Sequence, residues 1–127
     1  SLIVTSAFCM TAAVVLNVVG RTPKWPAQAL IWLLNNLLLV TLTEELFFRA
    51  YLQCGLQRFF NGSRFASALS ITLAASLFGL AHAVAGVVWM LLAGVAGAGY
   101  GIAFRFGGLQ SAVISHFGLN LVHFGLF

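Results

Sequence analysis

Long runs of apolar residues, separated by short polar breaks, make up most of the chain. A helix needs about 20 mainly apolar residues to cross the hydrocarbon core of a bilayer, and the runs have about this length or more. The breaks contain Gly, Pro, Asn and basic residues, which are typical of turns. The pattern predicts an all-α, polytopic transmembrane bundle with about five spans, over Leu2–Val19, Ala27–Leu56, Phe65–Val84, Gly86–Phe104 and Gly108–Phe127.

The composition supports a membrane protein. The 127 residues are 61% hydrophobic and 6% charged, and their mean hydropathy is +1.04. A soluble domain carries about 25% charged residues, so this chain lacks the charges that a water-facing surface needs. We therefore predict one integral membrane domain over residues 1–127, with the lipid bilayer as its surroundings and without a separate soluble domain.

Basic residues give the chain a net charge of +4. Five of the six lie in the gaps between apolar runs, as loop residues of membrane proteins do, and we predict no nucleic-acid partner. No basic stretch precedes the first run, so we interpret that run as a span and not as a signal peptide. Gly97 and Gly101, in the fourth run, have the spacing that lets two membrane helices approach closely.

Both acidic residues of the chain, Glu44 and Glu45, stand together in the apolar stretch TEELFFRA. A charge inside a membrane is costly and is usually paired or functional. Glu45 and Arg49 are four residues apart, so on a helix they can neutralise each other. Glu44 has Phe48 at the corresponding position. We therefore expect Glu45 to be structural and Glu44 to be available for chemistry.

The three histidines also lie in apolar runs. His116 and Asn120 share one helical face, and His123 continues the same stripe. A single histidine in a membrane helix is often only a hydrogen-bonded packing residue, and this is our interpretation of His123, which would also line the cavity. His82, His116, Asn120 and Glu44 together indicate a polar site, and we predict that they converge on one small cavity.

The chemistry of such a set is limited. The chain contains no Asp. Ser115 precedes His116, but adjacent positions on a helix point in different directions, so a serine triad has little support. Glu and His are also zinc ligands, but the HExxH pattern is absent. A carboxylate and an imidazole can activate water while an amide and a second imidazole stabilise an oxyanion. We predict hydrolysis without a metal or cofactor.

Three short motifs resemble those of a known family. EELFFR at 44–49 fits EExxxR, FGLAH at 78–82 fits FxxxH, and HFGLN at 116–120 fits HxxxN. In this order they are similar to the motifs of the CPBP (ABI) family, the CAAX proteases and bacteriocin-processing enzymes. The resemblance covers residues 38–123.

The resemblance implies an intramembrane glutamic endopeptidase that works without metal. By motif position, Glu44 would be the general base and would act with His82 on the attacking water. His116 and Asn120 would stabilise the oxyanion. The remaining motif residues, Glu45, Arg49 and Phe78, would support the site.

The substrate and the activity leave alternatives open. Prenylated C-terminal tails, leader or bacteriocin peptides and C-terminal sorting anchors all fit as membrane-associated substrates. The compact chain favours a prokaryotic enzyme in the cell (inner) membrane. A non-catalytic family member, acting as a membrane scaffold or bacteriocin-immunity protein, is the main alternative function, and a small proton-coupled transporter is a weaker one because no internal repeat is visible.

Overall fold

The computed structural model describes residues 8–9, 11–12 and 29–126, and every regular element in these ranges is helical. No β-strand occurs in them, which confirms the all-α prediction. The first predicted span, Leu2–Val19, lies almost entirely outside the described residues. Residues 29–126 form four helices, which we name α1 (Ala29–Phe59), α2 (Ala66–Ala81), α3 (87–107) and α4 (109–126).

Helix α1 is continuous but changes its winding. Two π-helical segments, Asn36–Thr41 and Leu46–Gln53, flank one α-helical turn, Leu42–Glu45. π-helices are rare and occur frequently at functional sites. Because the π-helical hydrogen bond joins residues five apart, side chains five apart point in similar directions within these segments. The turn with the two glutamates thus lies between segments where α-helical spacing does not apply. The helix also extends three residues past the predicted end at Leu56.

Helix α2 is shorter than predicted. It ends at Ala81, because His82 leaves helical geometry at φ −96° and ψ 7° and a short 3₁₀ turn, Ala83–Ala85, follows. Gly86 then adopts φ 111°, which is readily accessible only to glycine. The prediction that this helix reaches Val84 is therefore wrong. His82 lies at the end of α2 instead of inside a span.

Helices α3 and α4 form an antiparallel hairpin. Gly108, at φ 75°, is the residue that interrupts the helix between Val87 and Leu126. The rings of Tyr100 and His116 lie 4.5 Å apart, whereas sixteen residues of unbroken helix would separate them by about 24 Å. The chain therefore turns back at Gly108. The predicted break over residues 105–108 is reduced to this single residue.

Small residues allow α2 and α3 to approach closely. A Cβ built at Gly79 would lie 2.8 Å from the Met90 carbonyl oxygen and 3.0 Å from the Gly94 Cα. A Cβ at Gly97 would lie 2.9 Å from the Phe78 ring, and one at Gly101 would lie 3.0 Å from Gln53. The close packing predicted at Gly97 and Gly101 is confirmed, and the tightest backbone contact is at Gly79.

The burial pattern is that of a protein surrounded by lipid. Glu45 and Arg49 are fully buried, while large apolar side chains such as Leu39 and Leu73 are exposed. Helix α1, Ala29–Phe59, is long and apolar enough to cross a membrane, and so is the stretch Val87–Phe124, which the turn at Gly108 divides into α3 and α4. Only 11% and 33% of their most apolar stretches is buried. Such exposure is unlike the core helix of a soluble protein. Helix α2 is shorter than a typical span, so the prediction of five spans is not confirmed.

Candidate active site

Glu45 and Arg49 form a buried ion pair within α1. The Arg49 Nε donates to Glu45 Oε2 over 2.9 Å, and both side chains are fully buried. The guanidinium carbon lies 5.5 Å from the Phe78 ring centroid and 6.0 Å from that of Tyr100, within the range of cation–π attraction. The structure thus places these two residues together, as the i,i+4 spacing suggested.

His116, on α4, lies between the two adjacent carboxylates. Its Nδ1 is 2.7 Å from Glu45 Oε1, and its Nε2 is 3.6 Å from Glu44 Oε2. Glu45 therefore uses one oxygen for Arg49 and the other for His116. The Glu44 side chain is 31% exposed and makes the longer contact. Sequence spacing had separated the roles of the glutamates but had not indicated that both approach one imidazole.

Two aromatic rings fix the plane of the His116 imidazole. Tyr100 stacks on it at 4.5 Å with an interplanar angle of 9°, and Phe78 meets it edge-on at 5.6 Å. Tyr100 is buried, and sequence reasoning missed it. A signal was present, because Tyr100 follows Gly97 by three residues and therefore shares a helical face with it.

His82 is held at the end of α2 by its own backbone. Its Nδ1 lies 2.8 Å from the Phe78 carbonyl oxygen, one of the carbonyls left without a helical partner at a helix end. A carbonyl only accepts, so Nδ1 carries the hydrogen and, in the neutral ring, Nε2 carries the lone pair. Phe78 thus positions His82 through its carbonyl and His116 through its ring.

Asn120 contacts α1 through two residues that the sequence analysis did not select. Its Nδ2 donates to Asn36 Oδ1 over 3.1 Å and contacts Thr41 Oγ1 at 3.4 Å. The Thr41 hydroxyl also donates to Asn36 Oδ1, over 3.2 Å. A polar residue inside an apolar run is a recognisable signal. The five-residue spacing concealed the pair, because in an α-helix it would turn the side chains about 140° apart.

Three of the four predicted catalytic residues, together with Phe78 and His123, line one cavity of about 170 Å³. Glu44 does not line this cavity. Its carboxylate instead contacts the His116 ring, which does. The cavity lies between α2, α3 and α4, and Cys9 also lines it. The contacts of His116 and Asn120 with α1 bring α1 directly against α4. The lining residues are Cys9, Phe78, His82, Trp89, Leu92, Ala93, Ala96, Tyr100, His116, Leu119, Asn120 and His123.

The two ring nitrogens of His116 have different neighbours. With Glu45 ionised, Nδ1–H donates to its Oε1 over 2.7 Å. Nε2 faces Glu44 Oε2 at 3.6 Å, which is longer than a hydrogen bond, so this contact does not engage Nε2. Within the described ranges, no three His, Cys, Asp or Glu side chains are arranged to hold a metal ion.

Comparison with known proteins identifies one family. The family model described as type II CAAX prenyl endopeptidase Rce1-like matches residues 26–122. The matched range includes all three motifs and confirms the resemblance drawn from them. No curated protein and no solved structure matches the chain.

Proposed function

Because the chain belongs to the Rce1-like family of type II CAAX prenyl endopeptidases, we propose that it is an intramembrane glutamic endopeptidase. It would hydrolyse a peptide bond of a membrane-associated protein or peptide, without a metal. The observation that carries this proposal is the group of polar side chains around His116. His82 and Asn120 line one cavity with it, and Glu44 borders the same ring.

The attacking water is activated by Glu44 together with His82. Glu44 is the partly exposed carboxylate, so it can reach water, whereas both oxygens of Glu45 are engaged. The lone pair on His82 Nε2 can accept a second hydrogen bond from the same water, because Nδ1 donates to Phe78. The water loses its proton to the carboxylate as its oxygen attacks the carbonyl carbon.

The developing oxyanion is stabilised by His116 and Asn120. His116 donates from Nε2 to the oxyanion, while Glu45 accepts from Nδ1 and holds the ring in place. The Asn120 amide supplies a second donor on the same wall of the cavity. Removal of one such donor typically lowers kcat by about 10²–10³-fold. Collapse of the intermediate then breaks the C–N bond and releases the amine with the proton held by Glu44.

The family description favours a prenylated C-terminal tail as substrate, and the mainly apolar lining of the cavity suits such a ligand. Leader peptides and C-terminal sorting anchors are the other substrate classes to test. A prokaryotic inner membrane stays a prediction from the sequence.

The test uses the purified protein in liposomes and a fluorogenic peptide that ends in a farnesylated cysteine followed by three residues. The same peptide without the farnesyl group is the matched substrate. Glu44→Ala should abolish cleavage. Thr43→Val, at the exposed neighbouring position, should retain it and so serves as the control.

The outcomes distinguish the activity, the substrate class and the non-catalytic alternative. Cleavage of the farnesylated peptide alone supports both the activity and the substrate class. Cleavage only of a leader or sorting peptide keeps the protease and changes its substrate. A folded protein that cleaves none of the peptides would point to the non-catalytic alternative, and a fully active Glu44→Ala would overturn the mechanism.

A further inference from the structure

We propose that Asn36 and Thr41 are positioning residues that aim the Asn120 amide at the reacting carbonyl. This inference rests on the proposed function, because it assigns a purpose to the amide of Asn120. Neither residue belongs to the three motifs. Both lie in the first π-helical segment of α1, and the three side chains form one connected group.

The contacts fix which way the Asn120 amide faces. Asn36 Oδ1 accepts from Asn120 Nδ2 over 3.1 Å and from the Thr41 hydroxyl over 3.2 Å, so both of its lone pairs are used. Turning the amide of Asn120 around would place its oxygen against that acceptor oxygen. Asn36 therefore selects the orientation in which the nitrogen of Asn120 faces α1.

Thr41 holds Asn36 in this orientation. It is fully buried, and its hydroxyl hydrogen is donated to Asn36. Its oxygen also approaches Asn120 Nδ2 at 3.4 Å, which is long for a hydrogen bond. One amide hydrogen of Asn120 is thus firmly bound by Asn36, while the second has only this weak contact and can be donated to an oxyanion in the cavity.

The π-helical winding brings Asn36 and Thr41 together. In an α-helix, residues five apart would point about 140° away from each other, and only one of them could face α4. The segment Asn36–Thr41 is wound so that both side chains reach Asn120. This gives a purpose to a rare helix type at a point one turn before the glutamates.

Steady-state cleavage of the farnesylated peptide tests the proposal. Thr41→Val keeps the shape of the side chain and removes the hydroxyl, and it should lower kcat by about tenfold with KM within about twofold, as expected for a partly misaligned oxyanion donor. Thr41→Ser restores the hydroxyl and should recover most of kcat. Asn36→Leu should lower kcat further, while Asn35→Leu, at the exposed neighbouring position, should leave it unchanged.

A double substitution separates positioning from general destabilisation. Asn36→Leu should have almost no additional effect on kcat in an Asn120→Ala background, because residues that act through each other are not additive. If Thr41→Val does not fold, Asn36→Leu and its Asn35→Leu control decide the matter. An unchanged kcat in Asn36→Leu, or an equal loss with and without Asn120, overturns the positioning role while leaving the proposed function intact. An Asn120→Ala variant of full activity instead overturns the oxyanion assignment and this inference with it.

Discussion

Glu44 and Glu45 are neighbours in sequence and approach the same imidazole, yet their environments differ. Glu45 is fully buried and has a partner for each oxygen, Arg49 on one side and His116 on the other. Glu44 is partly exposed, and its contact with His116, at 3.6 Å, is longer than a hydrogen bond. Both carboxylate oxygens of Glu45 are therefore engaged, whereas the Glu44 carboxylate is available.

The difference shows how one turn of helix can hold two carboxylates in different environments. A buried carboxylate must be paired, since an isolated ion in a low-dielectric interior is strongly unfavourable. Pairing occupies the oxygens that a general base needs. Glu45 holds Arg49 and His116, so its oxygens are engaged. Glu44, turned about 100° around the helix, remains accessible to water.

The largest expected effect on activity comes from the accessible carboxylate. Glu44→Gln keeps the size of the side chain and removes the base, so kcat should fall by about 10²–10⁴-fold. The melting temperature in detergent should be nearly unchanged, because Glu44 makes no close ion pair. Peptide cleavage and thermal unfolding of the same preparation measure the two quantities. Near-normal turnover in Glu44→Gln would contradict its assignment as the base.

Glu45→Gln should instead act mainly on stability. It leaves Arg49 buried without a counter-ion, and breaking a buried pair in this way costs about 3–5 kcal/mol. Denaturant titration in detergent measures the change. The double variant Glu45→Gln with Arg49→Met removes both charges and should be less destabilised than Glu45→Gln alone. A loss of activity without a loss of stability in Glu45→Gln would show that the two glutamates share the catalytic role.

The contrast between the glutamates could be predicted from the sequence, because it depends on local spacing. Glu45 and Arg49 are four apart, so any regular helix brings them close. Close packing at Gly97 and Gly101 follows from similar local reasoning. The family could be recognised from three short motifs because their order and residue types are specific even where the geometry is not.

The partners of these residues could not be predicted in the same way. Asn36 and Thr41 come together only in a π-helical segment, and the α-helical periodicity used for sequence analysis separates them. The end of α2 at His82 depends on a 3₁₀ turn and on the positive φ of Gly86. Tyr100 reaches His116 only because the chain reverses at Gly108. Each of these features is set by tertiary structure.

The ring of Tyr100, which stacks on the imidazole that both glutamates approach, should have a smaller effect on activity. Stacked aromatic pairs contribute about 0.5–1.5 kcal/mol, so Tyr100→Leu should lower kcat by about tenfold or less. Tyr100→Phe keeps the ring and should retain nearly full activity if stacking is the contribution. Cleavage assays of both variants decide this. Equal loss in the two would assign the effect to the hydroxyl instead.

His123 should have a still smaller effect. It lines the cavity and its ring meets Trp89 edge-on at 5.7 Å, whereas His116 contacts both glutamates. His123→Ala should therefore retain at least partial activity, within about fivefold of the wild type on the scale of a lost aromatic contact. His116→Ala, the matched variant at the position seven residues earlier on the same face of α4, should be inactive. Complete loss in both would make His123 a catalytic residue.

The smallest expected effect is that of metal removal, which tests whether the gap between Glu44 and His116 holds a zinc ion. Their facing atoms are 3.6 Å apart, and a catalytic zinc usually has three protein ligands at about 2.0–2.3 Å. Only Glu44 and His116 face each other at that gap, and the described residues contain no group of three His, Cys, Asp or Glu side chains arranged to hold a metal ion. Dialysis against a strong chelator should therefore leave kcat unchanged, with no stoichiometric zinc by elemental analysis. If the chelator inactivates the enzyme, and added zinc restores activity while buffer without zinc does not, a metal-dependent mechanism would replace the glutamic one.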